Sequence, residues 1–565
     1  MLFGLLEGAD RSVFGIVAFS ALALTVAVLT TYVRTGPLAL APAVRTIRAA
    51  TFAVVIAAAA FTVFVATQLD LNSLAGRATA GRRAESASAE SQRPDILLIT
   101  ADTLRADRLP AYGGRTVRTP GLDRLAAESL LFERAMAQAP WTRSSFGSIW
   151  TGRTPSVHGA NWRILRGADG KDETLASHAL APGLATLPAV FAEAGYLTVG
   201  VNNNVQTSAR FGFAQGFKTW IDVSQPLHAA DSSLLCRSAR ALFEISACPL
   251  AGSAAGEYPY LPADRLTPVL MELVSRIENS DAPVFLWLHY MDPHVPYNFH
   301  DGRSRPLDYD RIREGLAKDA GAIRARLESA YDAEIEFMDR HLRIVLDRID
   351  ASPRLQAAVI AFTSDHGEEL VERWQPEKRR EAGRWYEARG YGHGHTLHEE
   401  LLHVPLTIRL PQKARAGERV SLVAQHTDIL ATLTAIAGIA PGDTEGRNLA
   451  NLLPNAESAK EEPVLFAERS LYGPELKAAR KGPLKLILRT QDESRRLYDL
   501  DTDPGELRST PSDRTPGGET LEKALGQWMA TLPAEESGRT PEESASDPGD
   551  AGLRRQLEAL GYLER

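Results

Sequence analysis

Cysteine is nearly absent from this chain, with only Cys236 and Cys248 in 565 residues. Two cysteines exclude a disulfide-stapled scaffold and a cysteine-rich zinc module. One local disulfide and two unpaired thiols both stay open, because separation along a chain does not fix Cβ geometry. An excess of positive charge is also lacking: 63 Lys and Arg stand against 71 Asp and Glu, a net of -8, with no long basic block. That excludes the electrostatic footprint of a nucleic-acid-binding protein, and nucleic acid is set aside as a partner. No Gly-Lys-Ser/Thr phosphate loop and no Gly-x-Ser-x-Gly elbow occurs. His398-Glu399-Glu400-Leu401-Leu402-His403 spaces its histidines by five rather than four, off the shared helix face that a zincin motif needs.

Long apolar runs, by contrast, are present, and both are N-terminal. Residues 12–33 and 49–69 carry no charge, and each is close to the ~20 residues that cross hydrocarbon. A signal peptide accounts for the first stretch only if cleaved, and no clear small-residue site precedes the second. Two retained transmembrane helices within residues 1–71 are therefore expected, rather than buried core helices. The loop between them holds Arg34, Arg45 and Arg48 without an acidic residue, whereas Glu7, Asp10 and Arg11 precede the first stretch. Positive-inside bias puts that loop in the cytoplasm. Two crossings return the chain to its starting side. The expectation is an inner or cytoplasmic membrane protein whose remainder faces the periplasm or exterior.

Residues 72–93, rich in Ala, Ser, Arg and Glu, read as a tether, and order begins at Pro94. Short apolar runs at 95–100, 197–201, 284–288, 357–362 and 404–408 have the character of parallel strands buried on both faces. Helix-like stretches at 120–136, 186–194, 268–277 and 324–350 alternate with them. That order predicts a three-layer α/β domain over residues 94–455. Residues 463–500 alternate short apolar and polar pieces, so a small antiparallel subdomain is expected over 456–510. A Pro-, Glu-, Ser- and Asp-rich segment at 511–549 reads as flexible. Leu553, Leu557 and Leu560 fall at helical spacing within a docked terminal helix over 550–565.

In open α/β sheets ligands gather beyond the carboxyl ends of the strands. Three runs end directly in polar clusters: Asp102 after the first, His289 to His294 after the third, and Asp365-His366 after the fourth. Two carboxylates and an imidazole at one sheet edge suit a divalent cation with mixed oxygen and nitrogen ligands. Each alone is weak evidence, since a strand-end Asp is as often a helix cap. The run Thr142-Arg143-Ser144-Ser145-Phe146-Gly147-Ser148 places hydroxyls at a turn into a helix, where capping and chemistry are both open.

Ordered motifs go further. Pro94-Asp95-Ile96-Leu97-Leu98-Ile99-Thr100-Ala101-Asp102, Thr119-Pro120-Gly121-Leu122-Asp123-Arg124-Leu125-Ala126 and Thr151-Gly152-Arg153-Thr154-Pro155-Ser156-Val157-His158-Gly159 resemble the opening of the sulfatase family. Tyr290-Met291-Asp292-Pro293-His294-Val295-Pro296-Tyr297, Ser364-Asp365-His366-Gly367-Glu368-Glu369 and Leu497-Tyr498-Asp499-Leu500-Asp501-Thr502-Asp503-Pro504 follow in family order, and Leu557-Glu558-Ala559-Leu560-Gly561-Tyr562 is similar to family tails. The resemblance runs from Pro94 to the C-terminus. It implies an alkaline-phosphatase-like three-layer sandwich with a mixed, mostly parallel sheet and a small C-terminal α+β subdomain. It also implies one divalent metal ion held by Asp102, Thr142, Asp365 and His366, with calcium, manganese and zinc all open. His294 matches the family's substrate-side histidine. His395 lies near the position of a cationic substrate-binding Lys and, like His393, is a candidate general acid. His289 is as well read as a satisfied structural group.

The departures shape the chemistry. Family sulfatases carry a Cys or Ser matured to formylglycine, with Pro two residues later and Arg four residues later. Here Thr142 takes the nucleophile position, with Ser144 and Phe146 in place of Pro and Arg. A hydrated aldehyde releases sulfate by collapsing to the carbonyl, whereas a threonine ester must be cleared by water, which suits phosphoryl transfer better. Thr103 for Asp and His366 for Asn resemble the one-metal branch that includes phosphonate and phosphodiester hydrolases. The expected function is a metal-dependent hydrolase of sulfate or, more in keeping with Thr142, phosphate or phosphonate esters. A transferase using a lipid phosphoryl donor and a non-catalytic binding protein on the same scaffold are the alternatives. Specificity is expected in loops such as residues 202–262, which carry no readable code.

Overall fold

Every residue of Ile96–Ala101 is buried, as a strand covered on both faces requires. This strand, β1, sends Leu97, Ile99 and Ala101 into one hydrophobic cluster and Ile96 and Leu98 into another. The computed structural model describes residues 93–166, 172–224, 259–297, 306–375, 389–452, 462–533, 556–560 and 562. The two N-terminal apolar stretches, the tether up to Gln92 and both cysteines lie outside them, and with them the expected anchor and the choice between a disulfide and two thiols. Among the described residues, no helix is long and apolar enough to cross a membrane.

The strands that follow are β2 (Leu130–Met136), β3 (Asn161–Arg166), β4 (Asp172–His178), β5 (Leu197–Asn202), β6 (Thr219–Asp222), β7 (Val284–Tyr290), β8 (Val359–Ser364), β9 (Glu369–Leu370), β10 (Tyr391–Gly392), β11 (His403–Arg409), β12 (Arg419–Val420) and β13 (Ala424–Gln425). The main sheet runs β12-β2-β11-β8-β1-β7-β5-β6, with β13 also on β2. β1 is parallel to β7 and β8, and β5 to β7 and β6. The run at 404–408 departs from expectation: it is buried on both faces, but β11 lies antiparallel to β2 and β8. Apolar content reports burial, not direction.

Helices α1 (Pro120–Ala127), α2 (Thr142–Thr151), α3 (Leu187–Glu193), α4 (Ala263–Ile277), α5 (Ala320–Asp350) and α6 (Thr427–Ile436) cover the sheet. Leu122, Leu270 and Tyr331 of α1, α4 and α5 join the cluster of Leu97 and Ile99. Ile149, Phe191 and Leu430 of α2, α3 and α6 join that of Ile96 and Leu98. The result is a three-layer α/β sandwich with a mixed, mostly parallel sheet. Residues 120–136 are not one helix, as expected from spacing, because α1 ends at Ala127 and pairing with β11 draws residues 130–136 into the sheet.

Strands β14 (Leu465–Glu468), β15 (Leu476–Lys481), β16 (Leu484–Arg489) and β17 (Arg495–Asp499) form a separate antiparallel sheet in that order. The segment 511–549, read from composition as flexible, contains α7 (Gly518–Thr531), whose Leu521 and Leu525 pack on Ala479, Leu486, Leu488 and Leu497. A two-leucine stripe one turn apart is enough to dock a helix and too little to alter the composition of the window. Of the expected terminal helix, residues 556–559 are helical.

Candidate active site

Parallel register sets the site. Ala101 on β1 is level with Tyr290 on β7 and Ser364 on β8, so the residues that follow, Asp102 and Asp365, emerge side by side at the carboxyl edge. Asp102, Asp365 and His366 each offer one ligand atom within 4.8 Å of the others, and all three are fully buried. Asp102 Oδ2 accepts from Asn204 Nδ2 at 2.6 Å and pairs with His289 Nε2 at 3.2 Å, while Oδ1 has no hydrogen-bond partner. Asp365 Oδ1 accepts from the backbone N–H of Thr103 at 3.1 Å and of His366 at 2.9 Å, and its Oδ2 is also without a partner. The His366 Nδ1 faces the Gly367 carbonyl at 2.9 Å, so Nδ1 carries the proton and Nε2 presents a lone pair toward the carboxylates.

Electrostatics makes the same demand. Burial opposes ionisation of Asp102, but His289 and the neighbouring imidazoles outweigh it and hold the carboxyl well below its ordinary range. Burial and the charge of Asp102 push Asp365 well above it. Two buried carboxylates with free oxygens beside an imidazole lone pair fit a divalent cation, which would neutralise both at once.

Helix α2 delivers Thr142. No side chain caps this helix, whose first residue Thr142 follows an extended Trp141. Thr142 Oγ1 instead lies 3.2 Å from His366 Nε2 and 3.1 Å from Tyr562 Oη. The helix is pinned to the sheet by aromatic packing: Phe146 and Trp150 lie 5.4 and 4.9 Å from the Trp287 ring on β7, ring centre to ring centre. Such burial stabilises by roughly 2–3 kcal/mol per large side chain. Phe146, standing where family sulfatases have Arg, is therefore a core residue, with its ring edge-on to His289 at 5.0 Å. Arg143 ties the same turn to the segment after β5 through Gln206 at 2.6 Å and stacks 3.5 Å from Phe211.

Histidines and an acid line the other side. His294 is fully buried, with Nδ1 on the Val295 carbonyl and Nε2 without a partner. Its ring lies 5.0 Å from that of His393, which is 4.5 Å from that of His366. His393 Nδ1 is 3.2 Å from Glu368, whose carboxyl burial pushes up to about 7. Burial lowers His294 to about 4, which keeps the ring neutral near pH 7.

A sequence model of the family described as Sulfatase matches residues 94–439, more than half of the chain. The chain belongs to the sulfatase family. A second family model, described as N-sulphoglucosamine sulphohydrolase, C-terminal, matches residues 385–532. Human iduronate 2-sulfatase is 24% identical over 379 residues, covering 58% of this chain and 62% of that protein. The mouse iduronate 2-sulfatase is covered over 55% of its length, so the chain spans less than two thirds of these relatives. A sulfatase of Formosa agariphila is 24% identical, with 74% and 83% of the two chains covered. Among solved structures, the phosphonate monoester hydrolase of Agrobacterium radiobacter superposes with a TM-score of 0.56 at 20% identity, covering 78% of this chain and 95% of that one. A 2-O GAG sulfatase gives 0.56 at 18%, covering 78% and 91%. At these identities the structural likeness establishes the fold shared by sulfatases and the phosphonate hydrolase.

Within this family fold, Asp102, Thr142, Asp365, His366 and His294 lie in one buried cluster. His395 is placed differently from His393: its Nε2 is bonded to Glu369 at 2.6 Å, while His393 is the one whose ring stands against His366 and His294. His289 is bound on both ring nitrogens, by Thr100 at 2.9 Å and Asp102, and orients the carboxylate. Asn204, Glu368 and Tyr562 were not anticipated. Asn202-Asn203-Asn204 at the end of β5 was a legible signal, being a polar run at the same sheet edge. Glu368 and Tyr562 sat in family-like motifs that name no role.

Proposed function

We propose that this protein is a metal-dependent ester hydrolase acting on sulfate-, phosphate- or phosphonate-type esters, with Thr142 as nucleophile and a preference for phosphorus esters. The observation that carries the reading is Thr142 Oγ1 at the N-terminus of α2, 3.2 Å from His366 Nε2, which itself lies 3.3 Å from Asp365 Oδ2 and 3.9 Å from Asp102 Oδ1. Asp102, Asp365 and His366, with Thr142, would hold one divalent cation. Bound there, it would polarise the ester oxygens and favour the ionised form of the threonine hydroxyl.

The chain's own groups do the rest. Thr142 attacks in line, its new bond to phosphorus or sulfur forming as the ester bond to the leaving oxygen breaks, and water then clears the threonine ester. The partial positive charge at the N-terminus of α2 favours an anionic group at this point. Neutral His294 presents Nε2 as an acceptor, and the charge of a bound ester favours the imidazolium, whose Nε2–H then serves a non-bridging or leaving oxygen. Burial of every group removes competing water and strengthens these interactions. The membrane anchor and outward orientation read from residues 1–71 belong to the same proposal.

The test is turnover of aryl sulfate, phosphate monoester, phosphodiester and phosphonate substrates across a panel of divalent cations. Thr142→Ala is expected to lower kcat by at least about 1,000-fold, as loss of a nucleophile does, with folding unchanged. Substantial retained turnover in Thr142→Ala sinks the nucleophile assignment, and a clear preference for sulfate sinks the phosphorus preference.

A further inference from the structure

Tyr562 reaches the site from 420 residues away in sequence and is 1% exposed. Its segment is anchored rather than draped. Leu557 and Leu560 share a buried cluster with Trp141, Trp162 and Tyr472. Gln556 Nε2 donates to the Ser224 and Pro259 carbonyls, and Tyr472 Oη donates to the Tyr562 carbonyl at 3.1 Å. The Tyr562 ring then stands 5.9 Å from His294, 5.7 Å from His393 and 6.3 Å from Trp162.

The direction of its hydrogen bond follows from its neighbours. A carbonyl only accepts, so His366 Nδ1, 2.9 Å from the Gly367 oxygen, carries that ring's proton. The Nε2 of the neutral ring is then an acceptor that Thr142 Oγ1 faces at 3.2 Å and that a bound cation would take. A threonine oxygen that attacks has given up its proton and offers only lone pairs to Tyr562 Oη at 3.1 Å, so in the attacking form the phenol is the donor. Beside the lone pair that accepts from Tyr562, the attacking oxygen keeps one for the cation and one for the ester.

We propose that Tyr562 is a positioning residue of the active site, whose phenol donates to Thr142 Oγ1 and fixes the hydroxyl in one rotamer with its free lone pair available to the ester. This rests on the reading of Thr142 as nucleophile. Without the donor, the threonine side chain regains access to its other staggered wells, and a misplaced nucleophile reacts more slowly although substrate still binds.

Tyr562→Phe in the full chain removes only Oη and keeps the ring in its aromatic setting. The expected result is a kcat on aryl phosphate, phosphonate or sulfate esters lowered about 10- to 100-fold, with KM and the thermal midpoint nearly unchanged. A core tyrosine with no role in positioning would leave kcat at the wild-type value, and that result overturns the proposal. A rise in kcat also overturns it, because the phenol would then be an obstruction. Thr142→Ala, measured beside it, separates the two ideas: an active Thr142→Ala removes the nucleophile, whereas an inactive Thr142→Ala with a fully active Tyr562→Phe removes only the positioning role. A crystal structure of Tyr562→Phe gives a readout independent of turnover. Thr142 in more than one rotamer supports the proposal, and a single unchanged rotamer overturns it.

Discussion

Lys485 is fully buried on β16, with Nζ 2.9 Å from Glu399 and 3.1 Å from Glu506. Arg480 shares Glu399 at 2.7 Å, and Arg373 joins Glu400 to the carbonyls of Gly505 and Glu506. Replacing Lys485 by Met keeps most of the packing and removes the charge, leaving the buried Glu506 and the part-buried Glu399 with one cation fewer. Breaking a buried ion network from one side costs roughly 3–5 kcal/mol. Burial opposes ionisation of Glu506, but Lys485 and His398 outweigh it and hold the carboxyl well below the ordinary value of 4.5. A depressed carboxyl contributes stability above its ordinary value that is lost as pH falls through and below it. Wild type should therefore lose this contribution on acidification below pH 4.5, and Lys485→Met should already lack much of it at pH 7. Urea unfolding at both ends of that range measures the difference. Lys485→Met with Glu506→Gln, which removes both charges, should recover part of the loss. A single-variant cost under about 1 kcal/mol at pH 7, the scale of an exposed pair, would refute the reasoning. The site should feel the change too, because Gly367 N–H donates to the Leu401 carbonyl at 2.9 Å and a Cβ on Gly367 would stand 2.0 Å from the Glu400 carbonyl. The turn that Lys485 holds through Glu399 thus braces the loop carrying Asp365 and His366.

His289→Ala should weaken divalent-cation binding by about 10- to 100-fold, the usual effect of losing an orienting partner. Titration calorimetry measures it, and unchanged affinity would remove His289 from the ligand's support. Glu368 gives a pH dependence of opposite sign to Glu506. Its carboxyl is raised by burial from 4.5 to about 7, so the folded state takes up a proton and stability of the cation-free protein falls as pH rises across that interval. The fall is on the order of 3 kcal/mol. Glu368→Gln should flatten it, and an undiminished slope in the variant would assign the titration elsewhere.

The core of the sheet and the meeting of Asp102, Asp365 and His366 were legible because burial writes itself as apolar runs and this cluster sits where those runs stop. Residues 130–136 were not, since Leu130, Leu131, Ala135 and Met136 satisfy helical spacing as readily as a strand, and only pairing with β11 decides. α7 was hidden by the polar composition around Leu521 and Leu525. His395 and His393, two residues apart, could not be ranked from sequence, because the difference lies in which glutamate each ring meets. Tyr562 was out of reach for another reason: its bond to Thr142 spans nearly the whole domain, and no local pattern records such a distance.

The position of β1 has a kinetic consequence. It is the first strand of the sheet to be made, yet its partners are β7 and β8, with Ile96 level with Phe285 and Val359. At a synthesis rate of about 5–20 residues per second, its first neighbour arrives roughly 10–40 seconds later. Until then six apolar-rich residues with unpaired edges on both sides wait in a nascent chain. Long-range pairing of this kind folds slowly and is open to aggregation while it waits, so the strand that seats Asp102, like β2 with its still later partner β11, is exposed long before its neighbours exist.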